Sequence, residues 1–310
     1  MGRVSQVIRI GAAVAALGGI VSPSGRLAAQ SVNDTTPEPV LSGASAEAVT
    51  AVRRLYDREE YGAAVAAADT AMRHGAGSTE LQSWRLAALA AHPVGTASPI
   101  RTARRMAWMH VRSPWAWMGL AMTTAAVPDS AAVTKEAATK LVALLPNDPT
   151  AIAMAARALR EGGQLAEAQS VLGNGGGAAR TSAPVLVEVA STLAAQASHD
   201  PAHATALTDS AIRVYAAARA QDSMSFPASY RAGMLLLQKG DTVGAYPLLR
   251  HAASLSESVP AHAAFWRAGL SLTGADAAAA KTAVQDDMAR LQQQHPGDAD
   301  VQAAVAAQKR

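Results

Sequence analysis

Prolines recur along this chain at a nearly fixed interval, and that interval limits the possible folds more than the composition does. Pro114 and Pro149 are 35 residues apart, Pro149 and Pro184 are 35 apart, and Pro227 and Pro260 are 33 apart. Pro296 follows 36 residues later, while the step from Pro184 to Pro227 is 43 and implies an insertion, which we place near Gln196–Thr205. Stepping back by 35 from Pro114 reaches Thr79 and then Ala44. Proline is tolerated in the first turn of a helix, where its missing N–H would have no partner anyway. A periodic proline therefore marks the start of a helix in each unit.

A second break follows inside each unit. In NDPTAIAMAARALREGGQLAEAQSVL (147–172), Gly162 and Gly163 separate a predicted helix over 149–161 from another over 164–172. FPASYRAGMLLLQKGDTVGAYPLLRHAASL (226–255) turns at Lys239-Gly240-Asp241, and the stretch from Val259 to Met288 turns at Thr273-Gly274. Apolar residues recur at three- and four-residue spacing, and alanine, the best helix former, is abundant. The chain is read as all-α.

Helix, tight turn and helix at this period resemble a tetratricopeptide repeat. The spacing from Gly162-Gly163 to Ala168, and from Gly240 to Ala245, is similar to that family's turn-and-alanine pattern. Trp84, Trp117 and Trp266 stand near its large-residue slot, while the unit beginning at Pro184 lacks the turn glycine. The resemblance covers residues 45–308 and implies a right-handed solenoid of seven antiparallel helix pairs, the last two helices acting as a cap. The run Leu172-Gly173-Asn174-Gly175-Gly176-Gly177 is read as non-helical. It gives a joint at 174–181 between repeats over 45–173 and repeats over 182–310.

The resemblance also implies that the first helix of each pair lines a concave face. On this sequence that face comprises Arg53, Tyr56, Trp84, Trp115, Met118, Met122, Arg157, Arg160, Glu188, Arg231 and Lys239. Such a groove suits an extended or helical peptide with apolar anchors and acidic residues. The Lys/Asn clamp of the family's carboxylate-binding members is not reproduced.

A second candidate surface is RTARRMAWMHVRSPWAWMGL (101–120). On a helical wheel Arg101, Arg104, Arg105 and Arg112 fall within about 100° of one another, with Trp108 in the same sector. Ile100, Ala103, Met106, Ala107, His110 and Val111 form the opposite, buried stripe. The arginines therefore face water or a partner, with Trp108 within cation–π reach of Arg104, Arg105 and Arg112. Tryptophan and arginine dominate protein-interface hot spots, so this patch is a candidate partner site.

Residues 1–29 read as a cleaved secretory signal: Arg3 and Arg9, the apolar run Ile10–Val21, then Leu27-Ala28-Ala29 before Gln30. Residues 30–44 read as a polar leader. The whole chain has 27 basic and 24 acidic residues, but Arg3, Arg9 and Arg26 belong to the signal, so the mature chain is balanced at 24 each. That balance, with export, argues against nucleic acid as a partner. The absence of cysteine removes disulfides, a lipid-anchoring thiol and a thiol nucleophile.

Catalytic and metal signals are weak. His199 and His203 are separated by Pro201 and have no third ligand nearby, so no metal is expected. No GxSxG elbow occurs, and no cofactor motif is found. Glu59-Glu60 and Asp286-Asp287 are read as solvated helix faces with diverging side chains. The sequence thus points to a periplasmic or secreted, non-catalytic scaffold or accessory subunit of an envelope complex, binding a protein or peptide without spanning the membrane. Ligand or peptide capture in uptake is the alternative, and an enzyme a more remote one.

Overall fold

The computed structural model of the protein describes residues 43–92 and 98–308. The expected signal segment and all but the end of the leader lie outside these residues. The described chain forms α1 (Gly43–Asp57) and α2 (Tyr61–Arg73), α3 (Thr79–Ala91) and α4 (Pro99–Met109), and α5 (Pro114–Thr124) and α6 (Ala131–Leu144). These are followed by α7 (Pro149–Glu161) and α8 (Leu165–Asn174), α9 (Ala183–His199) and α10 (Ala204–Gln221), and α11 (Phe226–Gln238) and α12 (Thr242–Leu255). The last pair is α13 (Val259–Leu270) and α14 (Ala277–Gln294), and α15 (Ala299–Gln308) ends the stack. No strand occurs among the described residues. The result is a tetratricopeptide-like helical solenoid.

Proline occupies the first turn of α5, α7, α9, α11 and α13, as the periodicity requires, and Pro99, outside that series, starts α4. Helix starts without that proline are fixed in other ways. Ser78 Oγ accepts from Leu81 N at 3.0 Å ahead of α3, and Asp241 Oδ1 accepts from Gly244 N at 2.8 Å ahead of α12. Pro296 is the exception to the expected pattern: it lies in the turn between α14 and α15, closed by Asp298 N donating to His295 C=O. The insertion after Pro184 also differs from the expected loop. It lengthens α9 to 17 residues and α10 to 18, and the connection between them stays short.

The turns inside four of the pairs follow one backbone rule. A residue with positive φ precedes a fully buried small residue by five positions: Glu59 and Ala64, Asp129 and Thr134, Gly163 and Ala168, Gly240 and Ala245. The left-handed residue reverses the chain, and the small side chain lets the second helix lie against the first. Only two of these four turns carry glycine.

The glycine-rich run is more ordered than the sequence suggested. Gly173 and Asn174 belong to α8, and residues 177–181 form a 3-10 turn. Ala179 and Ile152 are buried in one cluster with Leu172 and Val185, so packing continues from α7 and α8 into α9.

Helix approach is tightest where glycine is required. A Cβ on Gly233 of α11 would stand 2.6 Å from Leu249 Cγ of α12, and Leu249 is itself fully buried. Gly233→Ala is therefore expected to destabilise the protein by about 1–3 kcal/mol through overpacking. Gly62→Ala, in open space on α2, should be neutral or stabilising by about 0.5 kcal/mol. Urea unfolding of both variants checks the pair, and equal shifts would refute the close-approach assignment.

Candidate functional site

The stack folds back on itself. The α1–α2 turn, at one end of the sequence, meets the α11 helix and the α12–α13 loop nearly 200 residues later. Ser256 Oγ donates to Arg58 C=O at 2.8 Å, and Glu257 N donates to Glu60 Oε1 at 3.1 Å. Arg231 Nη2 donates to Glu59 Oε1 at 3.3 Å. Glu59 has φ 60°, so it holds the left-handed position of this turn while its side chain reaches α11. Behind this clasp, His262 is fully buried, with Nδ1 2.7 Å from Asp287 Oδ2 and Nε2 donating to Ser256 C=O at 2.9 Å. Asp287 also accepts from Trp266 Nε1 and from Arg290; burial pushes its carboxyl up, but His262, then Trp266 and Arg290, hold it below the usual range.

The inner helices α1, α3, α7, α9 and α11 line a half-open cavity of ≈ 640 Å³. Its walls carry an ionic network centred on Glu188, which is 5% exposed. Arg160 donates to Glu188 Oε2 through Nη2 at 3.0 Å and Nε at 3.2 Å, and Arg231 Nη1 lies 3.5 Å from Oε1. Burial alone would raise the Glu188 pKa, but Arg160, Arg231 and Arg157 outweigh it and hold the carboxyl below its ordinary value. Arg231 Nη1 also donates to Ser191 Oγ at 2.8 Å. Because the Ser191 hydroxyl donates to Val187 C=O, the Tyr215 hydroxyl must be the donor in its 2.9 Å contact with Ser191. Arg157 lies 4.9 Å over the Tyr56 ring and donates to Glu161 and to Tyr61 Oη. Asp57 is half accessible and lines the cavity; burial of the rest pushes its pKa up to about 6, against Arg53, Arg157 and Arg231.

The expected concave residues thus divide. Tyr56, Met118 and Met122 are buried in the core and present no surface to a groove, and Trp115 packs half-buried against it. Trp84 is also buried but forms part of the cavity wall, edge-on to Tyr56 at 5.2 Å, with Arg53 5.8 Å over its ring. Arg157, Arg160 and Arg231 are in the network, while Lys239 is exposed and paired with Asp209 of α10. Glu59, Glu60 and Asp287 are not solvated faces, as the sequence suggested, but ligands of the clasp and its support.

The Arg/Trp patch behaves differently. Arg101, Arg104 and Arg105 are exposed on α4, whose other side buries Ala103, Met106 and Ala107. Trp108 is 77% exposed, beside exposed Met109 and Val111. The helix ends at Met109, so the wheel does not apply beyond it: His110 and Val111 are exposed instead of buried, and Arg112 projects from the following turn. The cation–π pairs found among the described residues are Arg53–Trp84, Lys140–Trp117 and Arg157–Tyr56, not the expected pairs around Trp108. None of the four patch arginines forms an ion pair among the described residues.

His203 pairs with Asp200 in the exposed α9–α10 turn. Among the described residues no group of three or more His, Asp or Glu is placed to hold a metal ion, and no helix is long and apolar enough to cross a membrane.

No protein-family model matches the sequence, and no curated protein matches it significantly. Among solved structures, the human IFIT1 dimer with PPP-AAAA superposes with a TM-score of 0.52 at 12% identity, over 81% of this chain and 58% of that one. A thermophilic TPR protein from Thermus thermophilus gives 0.47 at 18% identity, over 63% of this chain and 98% of that one. PilW, a type IV pilus biogenesis factor, gives 0.45 at 12% identity, over 85% and 99%. At these identities the likeness to IFIT1 is one of fold, and this chain spans little more than half of the IFIT1 chain.

The depressed Glu188 pKa has a definite sign. The folded chain holds its proton less tightly than the unfolded chain, so the stabilisation is present above pH 4.5 and is lost as the pH falls through the folded value. Glu188→Ala leaves two arginines without their central partner and is expected to cost about 3–5 kcal/mol at neutral pH. Its urea stability measured from pH 6 down to about pH 2.5 should fall less steeply than that of the wild type. Parallel curves would show that Glu188 is not the titrating anchor.

Proposed function

We propose that this protein is a non-catalytic binding module that holds a protein partner through the outer face of α4 and the turn that follows it. The observation that carries this reading is Trp108, 77% exposed on a helix anchored by its opposite side and surrounded by four exposed arginines. A large indole left in water beside uncompensated guanidiniums suits an acidic protein surface with an apolar recess for the ring. The arginines draw the partner in, and burial of Trp108, Met109 and Val111 slows its release.

The inner face supports the same division of roles. The arginines of α7 and α11 there are engaged by Glu188, Glu59 and Glu161, so they are not free for a partner. The buried His262–Asp287 pair has both ring nitrogens occupied, and the hydroxyl of neighbouring Ser256 is spent on Arg58 C=O. With its basic, apolar and small-residue leader pattern, the chain is read as exported, and its partner as a subunit of an envelope complex in the periplasm or beyond.

The test is affinity capture of the tagged mature protein from mildly solubilised envelope, followed by mass spectrometry and a direct binding assay with the recovered partner. Arg104→Glu with Arg105→Glu should abolish stoichiometric capture while leaving the melting temperature unchanged. Trp108→Ala should weaken binding at least tenfold, about 1.4 kcal/mol. Undiminished capture by these variants, or a collapse of melting in them, would overturn the reading.

A further inference from the structure

The cavity behind the clasp is a separate feature from the α4 patch. Five arginines contribute to its lining, Arg53, Arg54, Arg58, Arg157 and Arg231, against four carboxylates. One of those carboxylates, Glu188, is already matched by Arg160 from outside the lining. Arg54 on α1 and Arg58 in the turn that follows it form no ion pair among the described residues, and Arg53 reaches Asp57 only at 3.8 Å. The cavity therefore presents unmatched positive charge along the α1 wall.

Part of the wall is apolar. Val49, Met154, Val187 and Phe226 contribute to it, from α1, α7, α9 and α11. On the same wall the buried Trp84 indole N–H has no partner among the described residues. A buried donor left unsatisfied is costly, so this indole marks a place where an acceptor is wanting. A volume of ≈ 640 Å³ lies within the range of small-molecule sites.

We infer that this cavity is a binding site for a small anionic amphiphile, a carboxylate or phosphate head on an apolar body. Its head is held by Arg54 and Arg58 with Arg53, and its apolar body lies against Met154, Val187 and Phe226. A cationic or neutral amphiphile of the same length lacks the charge match, and a bare anion lacks the apolar contact. The site does not depend on the α4 patch: the cavity lining includes none of the patch residues.

The test is isothermal titration of the mature protein with decanoate, decyl phosphate, decyltrimethylammonium, decanol and inorganic phosphate, all below micelle-forming concentrations. One or both of the ten-carbon anions should bind at one per chain, at least tenfold more tightly than the cation, the alcohol or inorganic phosphate. The tighter of the two identifies the head group as carboxylate or phosphate. Arg54→Glu with Arg58→Glu should weaken that binding at least tenfold with melting unchanged, since both side chains lie outside the ionic network. Trp108→Ala should bind as the wild type does, which separates this site from the outer patch. The inference is overturned if neither anion binds at one per chain, if the cation or alcohol binds equally well, if the arginine variant retains full affinity, or if Trp108→Ala abolishes binding.

Discussion

Glu188 is the anchor on which the closed form of this protein depends. It is a carboxylate with almost no access to water, and burial of that kind is tolerated only with charge partners at hydrogen-bond distance. Arg160 from α7 and Arg231 from α11 supply them, and each then reaches farther: Arg160 to Glu161, and Arg231 to Ser191 and Glu59. One anion thereby joins three helix pairs and the first turn of the chain. Arg157 extends the network to Tyr61 and Tyr56, so the aromatic cluster beside Trp84 is tied to the same charges.

Arginines that look alike in the sequence have opposite fates. Those of α7 and α11 face inward, where low dielectric strengthens their pairing and removes them from any partner. Those of α4 stand over a side that buries only Ala103, Met106 and Ala107, and they remain in water with Trp108. The distinction arises because α4 is the outer helix of its pair, whereas α7 and α11 are inner helices. Periodicity assigns a residue to a helix and a face, and the pairing order of the helices then decides which of two arginines is accessible.

Much of the fold was legible because its signals are local. A first-turn proline acts within its own helix, and Gly163 and Gly240 mark turns by their backbone freedom alone. The turns at Glu59 and Asp129 use the same left-handed geometry without glycine, so nothing in their identity marked them. Met118 and Met122 were assigned to a surface because the fold resemblance gives the concave helix but not the depth at which a side chain sits on it. Glu59, Glu60 and Ser256 could not be foreseen as a clasp, since their partners lie 172–198 residues away and no local pattern encodes such a pairing. The α4 patch was legible as far as the helix extends, and the reading failed at His110 and Val111, where the helix stops and its periodicity with it.

A repeat stack held only by nearest neighbours unravels from its ends, and each added unit contributes a similar increment. Here the loop between α12 and α13 grips the turn after α1, so the N-terminal pair cannot fray without breaking contacts in the sixth and seventh. That tie makes the six pairs between its two ends a single cooperative unit rather than a row of separable ones. It also places contacts of very long sequence separation among those that must form for the native state, which slows assembly relative to an open array. The molecule therefore resembles a ring more than a ladder in its mechanics: cutting or deleting one internal pair would disturb the register of the closure itself.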